Sequence, residues 1–348
     1  MTKAITKRYA PMEALLVGEL PTGDVWQYEP KWDGFRCVAH RTGGTVELMS
    51  KAGKPLSRYF PDLVASLLQV KAKRFVLDGE IVIPHEGSLS FDELLQRIHP
   101  AKSRVDKLAA EHPAAFIVFD LLVGATGKPL VNEPLAERRP ALEKFVAANV
   151  KKGLPIHLSP ATTKQATVTK WFASVGGGLD GVIAKRLDLP YKTGERTGMQ
   201  KVKSIRTAEC VVGGFRYASK GKVVGSLLLG LYDGGGLLHH VGFTSNVPND
   251  EKAAVTKKLE KHVKAPGFTG QAPGGSSRWS TARSSEWEPL APKLVVEVLY
   301  DHFSGGRFRH GTSFLRWRPD KAPASCSMAQ VEQEARSAMK LLTAAGGR

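Results

Sequence analysis

One lysine near the N-terminus stands in a setting that a surface lysine does not need. Residues 28–36 read YEPKWDGFR and place Lys31 between a proline and a polar, glycine-containing run. An ammonium group is not a nucleophile until its surroundings remove a proton, so a catalytic lysine needs a specialised environment. The stretch therefore predicts that Lys31 is a nucleophile. The alternative is that Lys31 has only a structural role.

A second pair of lysines has a spacing that suits the same chemistry. Lys201 and Lys203 are two residues apart, so on a strand their side chains point the same way. Cations close to Lys31 would lower its pKa, since they disfavour the charged form. Taken alone, the pair is equally typical of a solvated basic strand edge.

The charge balance predicts a polyanionic partner. The chain has 348 residues, with 50 Lys and Arg against 33 Asp and Glu, which gives a formal net charge of +17. Hydrophobic residues make up 42%, an ordinary value for a folded protein. Nucleic acid is the simplest partner for such a chain, and a generally basic solvated surface is the alternative.

Several classes of protein are excluded by what the sequence lacks. The cysteines Cys37, Cys210 and Cys326 form neither a C-x-x-C pair nor a disulfide framework, which fits a reducing cytoplasm. No apolar run reaches the length of a membrane span, and the N-terminus has no sustained apolar segment typical of a signal peptide. There is no P-loop pattern and no H-E-x-x-H metal motif.

The first part of the chain mixes strands with helices. FPDLVASLLQV has helical spacing, and SFDELLQRI opens with a capping box of Ser90 and Glu93. We expect an α+β domain over residues 1–206 that also contains the following strands and helices: GGTVELMS, FVLDGEIVI, AAFIVFDLLV and GLDGVIAKR, with LAERRPALEKFVAANV and QATVTKWFASV.

The second part is richer in strands. Four strand-like segments and one charged helix, NDEKAAVTKKLEKHVKA, are typical of a small OB-fold β-barrel over residues 207–348. Residues 267–289 are rich in Gly and Ser and predict a loop, and residues 327–348 predict a helical tail. The four strand candidates are AECVVGGFRYAS, VVGSLLLGLYD, GLLHHVGFTS and KLVVEVLYDHFS.

An ordered set of motifs gives the chain a family resemblance. Residues 31–36, KWDGFR, fit the K-x-D-G-x-R signature of covalent nucleotidyltransferases, which include DNA ligases, RNA ligases and mRNA capping enzymes. Residues 314–321, FLRWRPDK, resemble the terminal motif of ATP-dependent DNA ligases. The chain is most similar to small two-domain bacterial LigC-type ligases of actinobacteria. Between these two motifs stand 50–53 (SKAG), 77–80 (LDGE), 116–121 (FIVFDL), 180–185 (DGVIAK) and 201–203 (KVK).

The resemblance implies an adenylation domain followed by an OB-fold domain, with ATP as cofactor and Mg²⁺ or Mn²⁺ as metal. Lys31 would carry AMP. The implied nucleotide-binding residues are Glu29, Lys31, Arg36, Lys51, Glu80, Phe119, Asp180, Lys201 and Lys203. The implied metal ligands are Glu80, Asp180 and Asp33. The implied pyrophosphate-orienting residues are Arg316, Arg318, Asp320 and Lys321, and the implied phosphate or DNA contacts are Arg58 and Arg196.

Two positions depart from the family pattern. Asp180 stands where most relatives have glutamate, so a metal would sit differently or be held through water. Lys51 stands where arginine is usual, which exchanges a bidentate phosphate contact for a point charge. Arg58 or Arg36 could compensate.

The function implied is sealing of 5′-phosphate/3′-hydroxyl nicks in duplex DNA by a monomeric cytoplasmic enzyme, in DNA repair. An RNA ligase or a GTP-using capping enzyme is the enzymatic alternative, which nucleotide preference would distinguish. The non-enzymatic alternative is an OB-fold nucleic-acid-binding protein with an inactive catalytic half, which would bind nicked DNA without forming an AMP adduct.

Overall fold

The computed structural model describes residues 8–85, 87–173, 179–274, 286–309, 311–332 and 341–342. Two units divide between Ser204 and Ile205, close to the boundary expected at residue 206. The C-terminal assignment needs a correction, because Leu341 and Leu342 belong to the first unit. Leu342 is buried in an apolar cluster with Trp32 of that unit, which explains the placement.

The first unit contains the mixed strands and helices that the sequence predicts. Its strands are β1 (Leu15–Leu16), β2 (Trp26–Trp32), β3 (Phe35–Thr42), β4 (Thr45–Ser50), β5 (Arg74–Val82), β6 (Pro84–His85), β7 (Ser88–Leu89), β8 (Ala115–Val123), β9 (Ile156–Leu158), β10 (Leu179–Arg186) and β11 (Met199–Lys203). Its helices are α1 (Pro61–Leu68), α2 (Phe91–Gln96), α3 (Lys102–Glu111), α4 (Leu135–Asn149) and α5 (Gln165–Ala173). The predicted cap is present, since the Glu93 amide donates to Ser90 Oγ.

Two sheets organise this unit. One has the order β4-β3-β5-β8-β9 and the other β1-β11-β10-β2. Strand β8 is buried along its whole length, and α1 and α4 cover its sheet with apolar side chains such as Leu63, Leu67 and Leu142. Strands β2, β3, β5, β8, β10 and β11 all carry functional motifs, so these sheets position the candidate site.

The second unit is the β-barrel that the sequence predicts. A sheet of order β14-β13-β12-β16-β19 is closed by a bridge between Thr244 and Thr312, and β15 pairs with β12. Its core combines aliphatic side chains with buried aromatic rings such as Phe215 and Phe268. The strands are β12 (Arg206–Tyr217), β13 (Val224–Tyr232), β14 (Leu238–Thr244), β15 (Glu288–Pro289), β16 (Val295–Tyr300), β17 (Phe303–Ser304), β18 (Arg307–Phe308) and β19 (Ser313–Trp317), with helices α6 (Lys252–Glu260) and α7 (Ala329–Glu332).

Two sequence expectations lie partly outside the described residues. Part of the predicted loop at 267–289 falls on 275–285, and most of the predicted helical tail falls on 333–340 and 343–348. The described start of that tail is α7. No helix in the described ranges combines the length and apolar character needed to cross a membrane.

Candidate active site

A cavity of about 220 Å³ opens in the first unit, lined from both of its sheets. Seven of the side chains at its wall belong to the site residues expected from the sequence. They are Glu29, Lys31, Arg36, Lys51, Glu80, Phe119 and Lys201. The mixture of apolar and charged walls suits an organic phosphate ligand.

The strand register explains why these side chains meet. Glu29 and Lys31 are two residues apart on β2, so they share one face of the strand. Across the antiparallel pairing, Ile183 of β10 lies opposite Glu29 and Gly181 lies opposite Lys31. On the other side of β10, Lys201 pairs with Ile183 in turn. Three strands therefore present acid, lysine and apolar side chains in adjacent rows.

Two glycines allow the backbone to pack closely around the lysine. A Cβ at Gly34 would lie 2.3 Å from the Ile81 carbonyl oxygen. A Cβ at Gly181 would lie 2.0 Å from the Val202 carbonyl oxygen, and its φ of +144° also disfavours a side chain. Steric crowding thus explains why glycine follows aspartate in both motifs.

Lys31 is held as an ammonium by a carboxylate from β10. Its Nζ donates to Asp180 Oδ2 at 2.6 Å, and the lysine side chain is only 19% exposed. Burial alone would lower the pKa of Lys31, but Asp180, Glu80 and Asp33 outweigh it and the pKa is raised. The expected depression of this pKa is therefore wrong, because the carboxylates around Lys31 outweigh the effects that lower it.

Three carboxylates surround the lysine. Asp33, Glu80 and Asp180 each act electrostatically on Lys31, which shows that they are its neighbours. Burial raises the pKa of Glu80 to about 8, with Arg36 opposing the shift. Carboxylate oxygens in such a group are the hard ligands that Mg²⁺ or Mn²⁺ takes, so the side chains present fit a divalent ion.

A buried aspartate on β5 anchors Arg36. Asp78 is fully buried and accepts from Arg36 Nε and Nη2, both at 2.6 Å. Tyr191 donates its hydroxyl to Asp78 at 2.6 Å and accepts from the Met12 amide at 2.9 Å. The guanidinium carbon of Arg36 lies 4.5 Å from the ring centroid of Phe119. Arg36 is therefore fixed at the cavity wall.

A buried ion pair occupies another part of the wall. Lys185 Nζ donates to Glu29 Oε1 at 2.8 Å, and Gln27 Nε2 donates to the same oxygen at 3.0 Å. Lys185 Nζ also lies 4.5 Å from the centroid of the Phe119 ring. Glu29 and Lys185 are both buried, so each charge depends on the other.

Several cations surround Lys201. Burial lowers the pKa of Lys201, and the charges of Lys31, Lys203, Lys51 and Arg196 lower it further. Glu13 stands among them: its Oε2 lies 3.1 Å from Lys51 Nζ and 3.2 Å from Arg196 Nε. These two ion pairs bring Lys51, a predicted nucleotide-binding residue, and Arg196, a predicted phosphate contact, onto one carboxylate.

The terminal motif forms its own network in the second unit. Arg318 pairs with Glu209, Glu297 and Asp320, and Lys321 also pairs with Glu209. The remaining motif cation also bonds to this group, as Arg316 Nε donates to Glu297 Oε2 at 2.7 Å.

Arg58, which the resemblance implies as a phosphate or DNA contact, does not line the cavity. Its Nη2 donates to the Pro100 carbonyl at 2.8 Å. Its compensation for Lys51 stays a prediction. Sequence reasoning gave no role to Glu13, Gln27, Asp78, Lys185 or Tyr191, which the structure brings to the site. Asp78 and Lys185 stood inside quoted motifs, and that was their only signal.

Comparison with known proteins agrees with this geometry. Residues 8–203 match the family described as ATP dependent DNA ligase domain, and residues 220–321 match the ATP dependent DNA ligase C terminal region. DNA ligase C2 of Mycolicibacterium smegmatis is 45% identical over 340 residues, covering 93% of this chain and 94% of that protein. DNA ligase C of Mycobacterium tuberculosis is 44% identical over 340 residues, with the same two coverages.

A solved structure of a Lig E DNA ligase supports the fold. It is 17% identical, with a TM-score of 0.51, and the alignment covers 88% of this chain and 100% of that one. At this identity the likeness speaks for the fold alone. The family matches and the mycobacterial relatives together extend over nearly the whole chain. The chain belongs to the ATP-dependent DNA ligases, and it resembles the LigC-type ligases of actinobacteria.

Proposed function

We propose that this protein seals 5′-phosphate/3′-hydroxyl nicks in duplex DNA through a covalent AMP on Lys31. The observation that supports the proposal most directly is the position of Lys31, at the wall of a cavity and paired with Asp180 at 2.6 Å. A lysine held among carboxylates and facing cations from β11 has both a proton acceptor and partners for phosphate.

In the first step, Lys31 Nζ attacks the α-phosphorus of ATP. A P–N bond forms as the bond to pyrophosphate breaks, and the ammonium must first lose a proton. Asp180 Oδ2 is the proposed acceptor of that proton, since it already accepts the hydrogen bond. Lys51, Lys201 and Lys203 are the proposed contacts of the nucleotide phosphates. The AMP then passes to the 5′-phosphate of the nick, and the 3′-hydroxyl displaces it.

The proposed metal ligands are Asp33, Glu80 and Asp180. A bound divalent ion would neutralise phosphate charge during each transfer. Phe119 is proposed to stack on adenine, and Glu29 to accept from its amino group. Arg36 is the proposed ribose or nick-strand contact and Arg196 a phosphate contact.

In the second unit, Arg316, Arg318, Asp320 and Lys321 are proposed to orient the pyrophosphate leaving group. We further propose that the enzyme is monomeric, works in the bacterial cytoplasm, and acts in DNA repair. The net charge of +17 supports a grip on duplex DNA through phosphates.

The test is transfer of label from α-labelled ATP in the presence of Mg²⁺, with wild type beside Lys31→Ala. A pyrophosphate pretreatment removes AMP carried over from purification. Lys102→Ala is the matched control, since Lys102 is exposed and does not line the cavity. We expect label that survives denaturation in wild type and the control, is absent in Lys31→Ala, and disappears as a nicked duplex is sealed.

Other outcomes would favour the alternatives. Labelling by GTP instead of ATP would indicate a capping-type enzyme. Sealing confined to ribonucleotide termini would indicate an RNA ligase. Binding to nicked DNA without any adduct would indicate a binding protein with an inactive catalytic half.

A further inference from the structure

Two leucines from the C-terminal part of the chain lie in the first unit, in apolar clusters that take no direct part in the proposed transfer chemistry. Leu342 is 5% exposed and packs with Trp32 and Leu179, and Leu341 packs against the same cluster. Leu341 also packs against a second cluster of aromatic and aliphatic side chains in this unit. Residues 205–333 form the second unit, so the chain returns to the first unit to place these two side chains.

The side chains that Leu342 contacts are chain neighbours of the two groups that must meet for adduct formation. Trp32 directly follows Lys31, and Leu179 directly precedes Asp180. Alternation along β2 points the side chains of Lys31 and Trp32 to opposite faces of the strand. Neither leucine lines the cavity, so an effect on the proposed nucleophile must pass through the strands β2 and β10.

A bulge in β10 makes the position of Asp180 sensitive to this packing. Leu179 lies opposite Trp32 and Gly181 lies opposite Lys31, so two steps along β10 match one step along β2. Asp180 is the extra residue of this bulge. Bulges re-aim side chains beside functional sites, and here the Asp180 carboxylate accepts from Lys31 Nζ at 2.6 Å. A shift of Leu179 would therefore move the bulge and its carboxylate.

We propose that Leu342, supported by Leu341, is a positioning residue for Lys31 and Asp180. This inference rests on the proposed function, in which Lys31 Nζ attacks a phosphorus and Asp180 accepts its proton. Such a step depends on alignment, and a misplacement of about 1 Å by a distant change can cost about a hundredfold in rate. Apolar packing against the neighbouring side chains supplies that alignment without any contact to the nucleotide.

The cluster around Trp32 is packed tightly enough for the loss of one side chain to matter. Trp32 and Leu179 are buried, at 5% and 1% exposure, and the indole Nε1 of Trp32 donates to Ser159 Oγ at 3.0 Å. Removing part of Leu342 would leave a cavity that its surroundings refill only partly. Because close-packed interiors transmit strain, Trp32 and Leu179 would shift, and β2 and β10 would shift with them.

The test compares wild type with Leu342→Ala and Leu341→Ala in two assays. The first assay measures adduct formation from ATP at saturating and subsaturating concentrations. The second assay supplies a nicked duplex whose 5′-phosphate already carries AMP, so sealing does not need Lys31. We expect Leu342→Ala to slow adduct formation about tenfold to a hundredfold at saturating ATP, with the KM for ATP unchanged. Sealing of the pre-adenylated nick should be slowed far less.

Two further variants separate positioning from general damage. Leu342→Met keeps the volume and apolar character of the side chain, so it should retain the wild-type rate of adduct formation. Leu95→Ala is the matched control, because Leu95 belongs to the same unit but is 43% exposed, and it should also behave as wild type. Leu341→Ala should show the same selective loss at smaller size, and it decides the question if Leu342→Ala does not fold.

The outcomes distinguish this proposal from the proposed function. A folded alanine variant at 341 or 342 that forms the adduct at the wild-type rate would overturn the positioning role. Equal losses in both assays would also overturn it, because a merely structural role slows both steps alike. Absence of any Lys31-dependent adduct from ATP in wild type would instead refute the proposed function.

Discussion

Removing the charge of Asp78 should destabilise the first unit far more than removing an equivalent charge at the surface. Asp78 is fully buried and accepts three short hydrogen bonds, two from Arg36 and one from Tyr191. Asparagine has nearly the same shape, but its amide NH2 group is a donor. It would face a group of Arg36 or Tyr191 that is also a donor. Breaking a buried pair while one charge remains costs about 3–5 kcal/mol. We expect Asp78→Asn to lower the free energy of unfolding by that amount.

The chain contains a control with the same chemistry at the surface. Arg186 donates to both oxygens of Asp188 at 2.7 Å, the same bidentate contact, but the Asp188 side chain is 49% exposed. Water solvates that pair, so Asp188→Asn should leave stability within error of wild type. The two variants differ in burial and hardly at all in the type of bond removed.

Hydrogen exchange followed by mass spectrometry can measure each unit separately. The slowest amides of β5 and β8 report opening of the first unit, and those of β13 report the second. Asp78→Asn should accelerate exchange in β5 and β8 and leave β13 unchanged. Equal effects from Asp78→Asn and Asp188→Asn would refute the reasoning, because burial would then not determine the cost.

Three further predictions concern charge. Glu13→Gln should lower the KM for ATP a few-fold, because Lys51 and Arg196 lose a competing carboxylate, and a raised KM would contradict this. Burial, with nearby cations, lowers the pKa of His240 to about 4. The contribution of the neutral ring to stability is therefore complete above the usual histidine pKa of 6.5, and that contribution is lost as the pH falls toward 4. Urea unfolding should show about 3 kcal/mol of acid destabilisation that His240→Gln lacks, and an identical pH dependence would refute it. Affinity for nicked duplex should fall linearly on a log–log plot against salt, whereas a flat response would exclude a charge-based grip.

Much of the fold could be predicted because its signals are local. Alternation, helical spacing and the Ser90 cap act within a few residues, and each of those elements is present. Buried β8 is a continuous apolar run, which the sequence indicates as a buried strand. The order of the motifs likewise predicted which strands carry the site, since motif residues from both sheets line one cavity.

The parts that could not be predicted depend on residues far apart in the chain. Lys185 and Glu29 are separated by 156 positions, and Tyr191 and Asp78 by 113. Their contacts follow from strand register and loop path, which no local pattern determines. The same limit explains the wrong sign for the pKa of Lys31. Lysines nearby in the motif pattern predicted a lowered value, but the nearest charge is a carboxylate 149 positions away.

Carboxylates pair with cations both in the candidate site and in the terminal motif. Lys31 pairs with Asp180, Lys51 and Arg196 pair with Glu13, and Arg318 pairs with Glu297 within its own unit. A cluster of like charges without partners would repel itself and favour unfolding. Each internal pair removes part of that repulsion, so under the proposed function ATP would exchange one anionic partner of these cations for another. The free energy of ATP binding would therefore be a difference between two sets of ion pairs. A change in a carboxylate or in a phosphate would alter it. This is why Glu13, which makes no proposed bond to ATP, should still affect its affinity.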